Sequence, residues 1–446
     1  MSSVAAVDIA KSLETRRFGW WHAKIMFLCF LMLLVEGMDY NALAVTAPSL
    51  IRDWQVSKRD IGIAFAISNL AVLIGTLVFS AIGDRYGRRA GIIWGVLLYS
   101  VPSLMIAFAD SLWQLYALRF VAGLGMGGVM PNAIALLTEV APNGMKSRFV
   151  MLPFIGIGLG AAAIGGVAAM FIPAFGWPPV FLIPGISGLI VCVALMIWLP
   201  ESARFLSAQR TASGEPEKAS AATGASGAEP ATSARKGIGL LLRREHAGVN
   251  ALLWLCFLFE SLTFIILVSW LPVILEMAGL SPTEASLTFA YVGLANLISQ
   301  LLIALLLDRF HFGALLAATL ITIVCFVGFS MLGLGKGNLM LVTVLLVAAS
   351  GATHSALNGL VGNFYPTSIR ATAVGIATGF GRVAFIVGPL LAAYLLALSL
   401  PVQQMTLLIM SPYVPVALIC LLLARLYIGK VAEARRLEAD AKSEPV

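Results

Sequence analysis

Apolar residues in this chain fall in long runs, and polar residues gather in short clusters between them. A helix of about 20 mainly apolar residues crosses the hydrocarbon layer of a bilayer. By that measure the pattern predicts spans near residues 22–47, 61–82, 90–109, 112–137, 149–171 and 178–199, then near 249–275, 285–307, 314–333, 338–362, 371–398 and 403–427. Between the two sets of six lies the segment 201–248. Its portion 207–235 is rich in Ala, Ser, Gly, Thr, Glu and Pro and almost free of large apolar side chains, the composition of a flexible linker. The expected fold is an all-α membrane protein: one six-helix bundle over 1–200, a cytoplasmic linker over 201–248, and a second bundle with a polar tail over 249–446.

The two sets repeat one another. An offset of 224 residues places Glu36 on Glu260, Pro48 on Pro272, Asp84-Arg85-Tyr86 on Asp308-Arg309-Phe310, Pro142 on Pro366 and Lys146 on Arg370, with no gap. Matches among Leu or Ala are common between apolar halves, whereas matches at Glu, Asp-Arg and loop Pro are not. Parallel repeats of six spans are an architecture of secondary transporters, which place the substrate site near the midplane between halves.

Composition supports the membrane reading. Of 446 residues, 60% are hydrophobic and only 11% charged, against roughly a quarter charged in soluble domains. The net charge of +7 is best read as membrane-orienting loop charge rather than a nucleic-acid surface. With the N-terminus inside, 23 of the 29 Lys and Arg fall on the cytoplasmic side, and Arg52, Lys58, Arg59 and Lys336 fall outside. Both termini are therefore expected in the cytoplasm. The first apolar run is too long for a signal peptide and contains Glu36 and Asp39, so an uncleaved first span is expected. Five separate cysteines, without CxxC or His partners in spacing, read as small core residues. Four scattered histidines give no metal-binding pattern, and no cofactor is expected.

The sharpest local motif is Gly83-Asp84-Arg85-Tyr86-Gly87-Arg88-Arg89, between the second and third spans. It resembles the signature loop of the major facilitator superfamily. Glycines permit a tight turn there, and Asp84 is suited to cap a helix N-terminus and pair with the arginines, which makes a gate. The second copy, Asp308-Arg309-Phe310-His311-Phe312-Gly313, is degraded, so an asymmetric gate is expected. Three further stretches are similar to the aromatic acid:proton symporters of that superfamily. They are Glu36-Gly37-Met38-Asp39-Tyr40 followed by Ala47-Pro48-Ser49-Leu50, the stretch from Arg119 to Asn132, and Tyr365-Pro366-Thr367 through Arg370, Gly381-Arg382 and Gly388-Pro389. The resemblance implies a major facilitator fold, protons as coupling ion and an aromatic carboxylate as cargo. The chain departs from the family's pattern at Glu36, where Asp is more usual, and at Met38, where Phe often stands.

Five ionisable residues lie near the midplane: Glu36, Asp39 and Glu260 against Arg119 and Arg382. Such residues are costly in a membrane and are functional candidates by default. Three acids against two bases leave one carboxyl without a fixed partner, and in a dry site it takes up a proton. Glu36 and Asp39, three apart, share a helix face and favour one proton between them. Arginine suits a carboxylate cargo because its planar fork meets both oxygens. Arg119 and Arg382 are the candidates, from opposite halves. Tyr40, Phe264, Trp270 and Phe385 could wall an aromatic ring, while His354 and Asn358, one turn apart, could face the cavity. Each of these residues also has a plain reading as interhelical packing or ion pairing. Glu139 is expected to join Arg148 or the gate loop. Glycine runs at 123–127 and 156–160 lie in apolar spans with no GKS or GKT, so they indicate close helix packing rather than nucleotide binding.

These features point to a proton-coupled symporter for a small aromatic carboxylate, working as a monomer in a bacterial inner membrane by rocking of two bundles, and not to an enzyme. A proton-coupled exporter of drugs or metabolites uses the same gate loop and membrane acids. A membrane sensor that keeps the fold is a third reading, though linker and tails contain no recognisable signalling domain.

Overall fold

With no water inside a bilayer, every backbone N–H and C=O must find its partner within the chain, and long apolar segments meet that demand as helices. A computed structural model of the chain describes residues 18–142, 144–202, 205–206, 241, 244–331, 335–365, 367–398 and 400–426. Most of the expected linker, 207–240, and the tail from 427 lie outside the described residues, as does Pro366.

Twelve helices among the described residues are long and apolar enough to cross a membrane. They are α1 (Trp20–Asp53), α2 (Lys58–Tyr86), α3 (Arg88–Ile106), α4 (Leu112–Val140), α5 (Lys146–Phe175) and α6 (Pro179–Trp198), then α7 (Arg244–Met277), α8 (Pro282–Phe310), α9 (Phe312–Met331), α10 (Lys336–Leu360), α11 (Thr367–Ala397) and α12. The last begins as Val402–Met410 and resumes over 413–426 after a turn at Ser411-Pro412. Proline has no N–H to give and its ring clashes with the preceding turn, so the run read as one span is broken there. A single 3₁₀ turn, Val361–Phe364, follows α10.

Packing divides the chain into two compact units. Among the described residues, the first takes those from 18 to 206 together with Ser269–Leu294; the second takes those from 241 to 268 and from 295 to 426. Glycine sets the closest approaches inside each. In the first, Gly37 of α1 lies against the backbone of Ile157 on α5, and Gly127 of α4 against the backbone of α2 at Val72. In the second, the residues 224 positions later meet in the same way: Gly381 of α11 lies against Ser261 of α7, and Gly351 of α10 against Asn296 of α8. The repeat is thus visible as conserved helix contacts, with the small residue changing sides in the first pair.

Helix starts repeat as well. Ser57 caps α2, its backbone N–H donating to Asp60 Oδ2 at 2.9 Å while Asp60 N–H faces Ser57 Oγ at 3.3 Å. Ser281 and Glu284 do the same before α8, at 2.7 and 3.3 Å. Such reciprocal boxes satisfy two of the N–H groups that a helix start leaves open. Four cysteines are buried and Cys325 half-buried; Cys256 and Cys420 bring their sulfurs to 4.0 Å in the second unit's core.

Candidate functional site

In the first unit, α1 carries Glu36 and Asp39 into a closed interior, where they are 6% and 0% exposed. Arg119 reaches them from α4 and is 2% exposed. Its Nη1 donates to the backbone carbonyl of Asp39 at 3.2 Å, its Nη2 lies 4.0 Å from Asp39 Oδ1, and its guanidinium rests over the Phe181 ring of α6 at 4.8 Å. From α3, Ser103 donates to Asp39 Oδ1. Four buried polar groups here have no hydrogen-bond partner: Glu36 Oε2, Asp39 Oδ2, and Nε and Nη2 of Arg119. Buried polar atoms are nearly always paired, so a cluster of unpaired donors and acceptors marks a place with unused binding capacity. Nε and Nη2 of Arg119 form one planar edge of the guanidinium, the edge that can donate to both oxygens of a carboxylate.

The second unit builds a different set. Glu260 of α7 is fully buried, and His354 Nδ1 of α10 meets its Oε2 at 2.7 Å. Phe264 stacks on the imidazole at 5.1 Å and 11°, and Phe385 stands 6.3 Å away. Glu260 Oε1 remains unpartnered. Counting two arginines against three acids therefore leaves out His354, which takes Glu260. Asp39 has Arg119, and Glu36 is the carboxyl left over.

Tyr40 donates its hydroxyl to Asn69 Oδ1 of α2 at 2.9 Å. Asn358 is exposed and turns its amide back to the carbonyl of His354 at 2.8 Å. Arg382 is exposed on α11 and belongs to the second unit, Arg119 to the first. Trp270 is fully buried against Phe65 at 5.7 Å, as core packing.

The loop after α2 departs from expectation in its cap. The helix continues to Tyr86, so Asp84 lies in its last turn and pairs with Arg88 across Gly87 instead of capping α3. The first turn of α3 is capped by Glu201, whose Oε1 accepts from Arg89 N–H at 3.1 Å. Gly87 has φ +101°, and the Glu201 carboxylate occupies the place a side chain would need. Gly83 and Gly91 both lie against the Asn132 side chain, which also accepts from Arg88 at 3.4 Å. Arg85 lies over Tyr86 at 5.5 Å, and Arg309 over Phe310 at 5.4 Å in the second copy. His311, the counterpart of Gly87, keeps a positive φ of 45° without being glycine. The side chain of Asp308 lies outside the described set. Glu139 accepts from Ser202 rather than joining Arg148 or the gate loop.

Sequence reasoning passed over Ser103, Asn69 and Glu201. The Pro200-Glu201-Ser202 stretch directly after α6 was the available signal for the last; the other two are ordinary polar residues within apolar spans.

Residues 29–389 match the Major Facilitator Superfamily. The 4-hydroxybenzoate transporter PcaK of Pseudomonas aeruginosa is 30% identical over 416 residues, covering 91% of this chain and 93% of that protein. The 3-(3-hydroxy-phenyl)propionate transporter of Escherichia coli is 32% identical, covering 83% and 86%. Among solved structures, a bacterial homologue of the lysosomal transporter Spinster, inward-facing and unoccupied, superposes with a TM-score of 0.74 at 16% identity, covering 93% of this chain and 99% of that one. Twelve membrane-length helices, a six-plus-six repeat and a match over most of the sequence agree: the chain is a multi-pass membrane protein that belongs to the Major Facilitator Superfamily.

Proposed function

We propose that this transporter is a proton-coupled symporter importing a small aromatic carboxylate into a bacterial cell, with both termini cytoplasmic. The observation that carries the reading is the unpartnered Nε–Nη2 edge of Arg119, beside two buried carboxyls that also have unpartnered oxygens. A carboxylate cargo supplies the two acceptors that this edge lacks, at the strength of charge-assisted hydrogen bonds. In the state described here Arg119 is closed to solvent. The reading therefore requires that the cluster open to admit cargo.

Protons enter through the same charge balance. An anion added beside Glu36 and Asp39 raises the local negative charge, and a proton on one carboxyl removes the excess. Anion and proton thus favour each other's binding, which is a reciprocal coupling. One proton with one monovalent anion moves no net charge, so the pH gradient alone drives accumulation. A second proton would add about 2.3 kcal/mol per 100 mV. The names of the relatives, transporters of 4-hydroxybenzoate, gallate and a phenylpropionate, support the class of cargo.

The test is uptake of 4-hydroxybenzoate, benzoate and 3-(3-hydroxyphenyl)propionate into vesicles reconstituted with the protein, acidic outside. Accumulation that vanishes when the pH gradient is collapsed at zero voltage is expected. Asp39→Asn is expected to lose accumulation while retaining exchange. Undiminished uptake without a gradient would overturn symport, and alkalinisation absent on substrate addition would favour export by antiport.

A further inference from the structure

Ser103 has no part in the reading above, yet it touches the group at its centre. It lies on α3 directly after Pro102, fully buried. Its hydroxyl donates to Asp39 Oδ1 of α1, and the same oxygen lies 3.5 Å from the backbone carbonyl of Phe181 on α6. A serine hydroxyl has one proton to give, so it serves one of these acceptors at a time. Its choice depends on charge. A hydrogen bond to an ionised carboxylate is about twice as strong as one between neutral groups, so a charged Asp39 holds the hydroxyl. A protonated Asp39 has lost that advantage, and the Phe181 carbonyl then competes.

Phe181 is also the ring beneath the guanidinium of Arg119, whose Nη1 is tied to the backbone of Asp39. We propose that Ser103 is a positioning residue whose hydroxyl turns from Asp39 toward Phe181 when Asp39 takes up a proton, passing the protonation state of Asp39 to the support of Arg119. The inference rests on Asp39 as a proton site and deepens the symport reading by naming how proton and anion communicate.

The charged and titratable surroundings of Asp39 are few. Glu36 stands one turn earlier on α1, Arg119 faces it from α4, and Tyr99 from α3 donates to the carbonyl of Met32 at 3.4 Å. The helices α2 and α5 carry their charged residues only near their ends, and α6 carries none. Ser103 is thus the neutral donor that distinguishes the two states of Asp39.

The experiment uses the full chain in lipid vesicles and follows carboxyl infrared bands against pH, the Asp39 band being the one absent from Asp39→Asn. Ser103→Ala removes a donor that favours the charged form, so half-protonation of that band is expected to move to higher pH by about one unit. Ser103→Thr keeps a hydroxyl and is expected to titrate as the unaltered protein does. Should Ser103→Ala fail to fold, Ser103→Cys, a weak donor, is expected to show a smaller shift in the same direction. An unshifted band in these variants overturns the proposal, and so does an Asp39 band that does not titrate in the unaltered protein. Transport is read separately. The apparent KM for 4-hydroxybenzoate is expected to fall as pH is lowered in the unaltered protein and Ser103→Thr and to change less in Ser103→Ala; equal pH dependence in all three counts against the proposal. If the unaltered protein carries none of the aromatic acids, the symport reading fails while the infrared titration still decides the role of Ser103.

Discussion

Arg119 combines two separable properties, charge and a planar fork, and substitutions can divide them. Arg119→Ala removes both, and Arg119→Lys keeps only the charge. Hydrogen bonds to charged groups are worth about 1.5–3 kcal/mol, so the apparent Kd for 4-hydroxybenzoate is expected to rise roughly tenfold to a hundredfold in the alanine variant. The lysine variant should fall between, and binding of the uncharged benzamide should change little in either. Equal losses for acid and amide in a binding titration would show that the fork does not hold the carboxylate. A second prediction concerns Tyr365, whose hydroxyl donates to Asn250 Oδ1 at 2.7 Å in the second unit. Burial pushes this phenol up from 10.0 to about 12. The raised value means the folded state holds the proton more tightly, so this contribution is fully present below pH 10 and is lost as pH rises from about 10 to about 12. Thermal unfolding of Tyr365→Phe should lose that alkaline dependence. At this scale the sequence made Glu36, Asp39, Arg119 and Glu260 legible, because charge at membrane depth is conspicuous. Ser103 and Asn69 were not, because serine and asparagine within a span look alike whether they face a partner helix or lipid.

Helices here are positioned by where a side chain is missing. A Cβ on Gly37 would run into the backbone of Ile157, which cannot yield as a side-chain tip can. Gly37→Val is therefore expected to cost about 1–3 kcal/mol through overpacking between α1 and α5. Gly166→Val on α5, where nothing lies within 4 Å, should leave the unfolding temperature in detergent nearly unchanged. Similar losses in both would mean that close packing at Gly37 is not the cause. Span positions were legible within a few residues because length and apolarity suffice to set them. Which face of each span turns inward was not, since helices that are apolar nearly all round give only a weak facial signal. The break in α12 followed from Pro412, a residue whose meaning was available in the sequence but was hidden inside an otherwise continuous apolar run.

At the scale of the whole molecule, the order of residues and the order of packing differ. Ser269–Leu294, which closes α7 and opens α8, is counted with the second bundle by sequence but packs in the first unit. Gly293 sits against the backbone at Ala162 and Gly165 against Ala290, and Glu276 meets Arg52 at 2.5 Å. The pair is partly exposed, with side chains 48% and 19% accessible, so it is worth no more than about 1 kcal/mol. Glu276→Arg should lower the unfolding temperature slightly by opposing two cations, and adding Arg52→Glu should restore it; no recovery in the double variant would mean that the charges do not interact. The repeat was legible as one offset, yet no inspection of that offset announces that two of its matched positions touch each other. Arg52 and Glu276 are separated by 224 residues, the repeat length itself. Were the two halves identical, the same amino acid would stand at both places and whatever charge it carried would face its twin. Attraction here needs the halves to differ, so this contact belongs to an asymmetric pair that two interchangeable copies could not form.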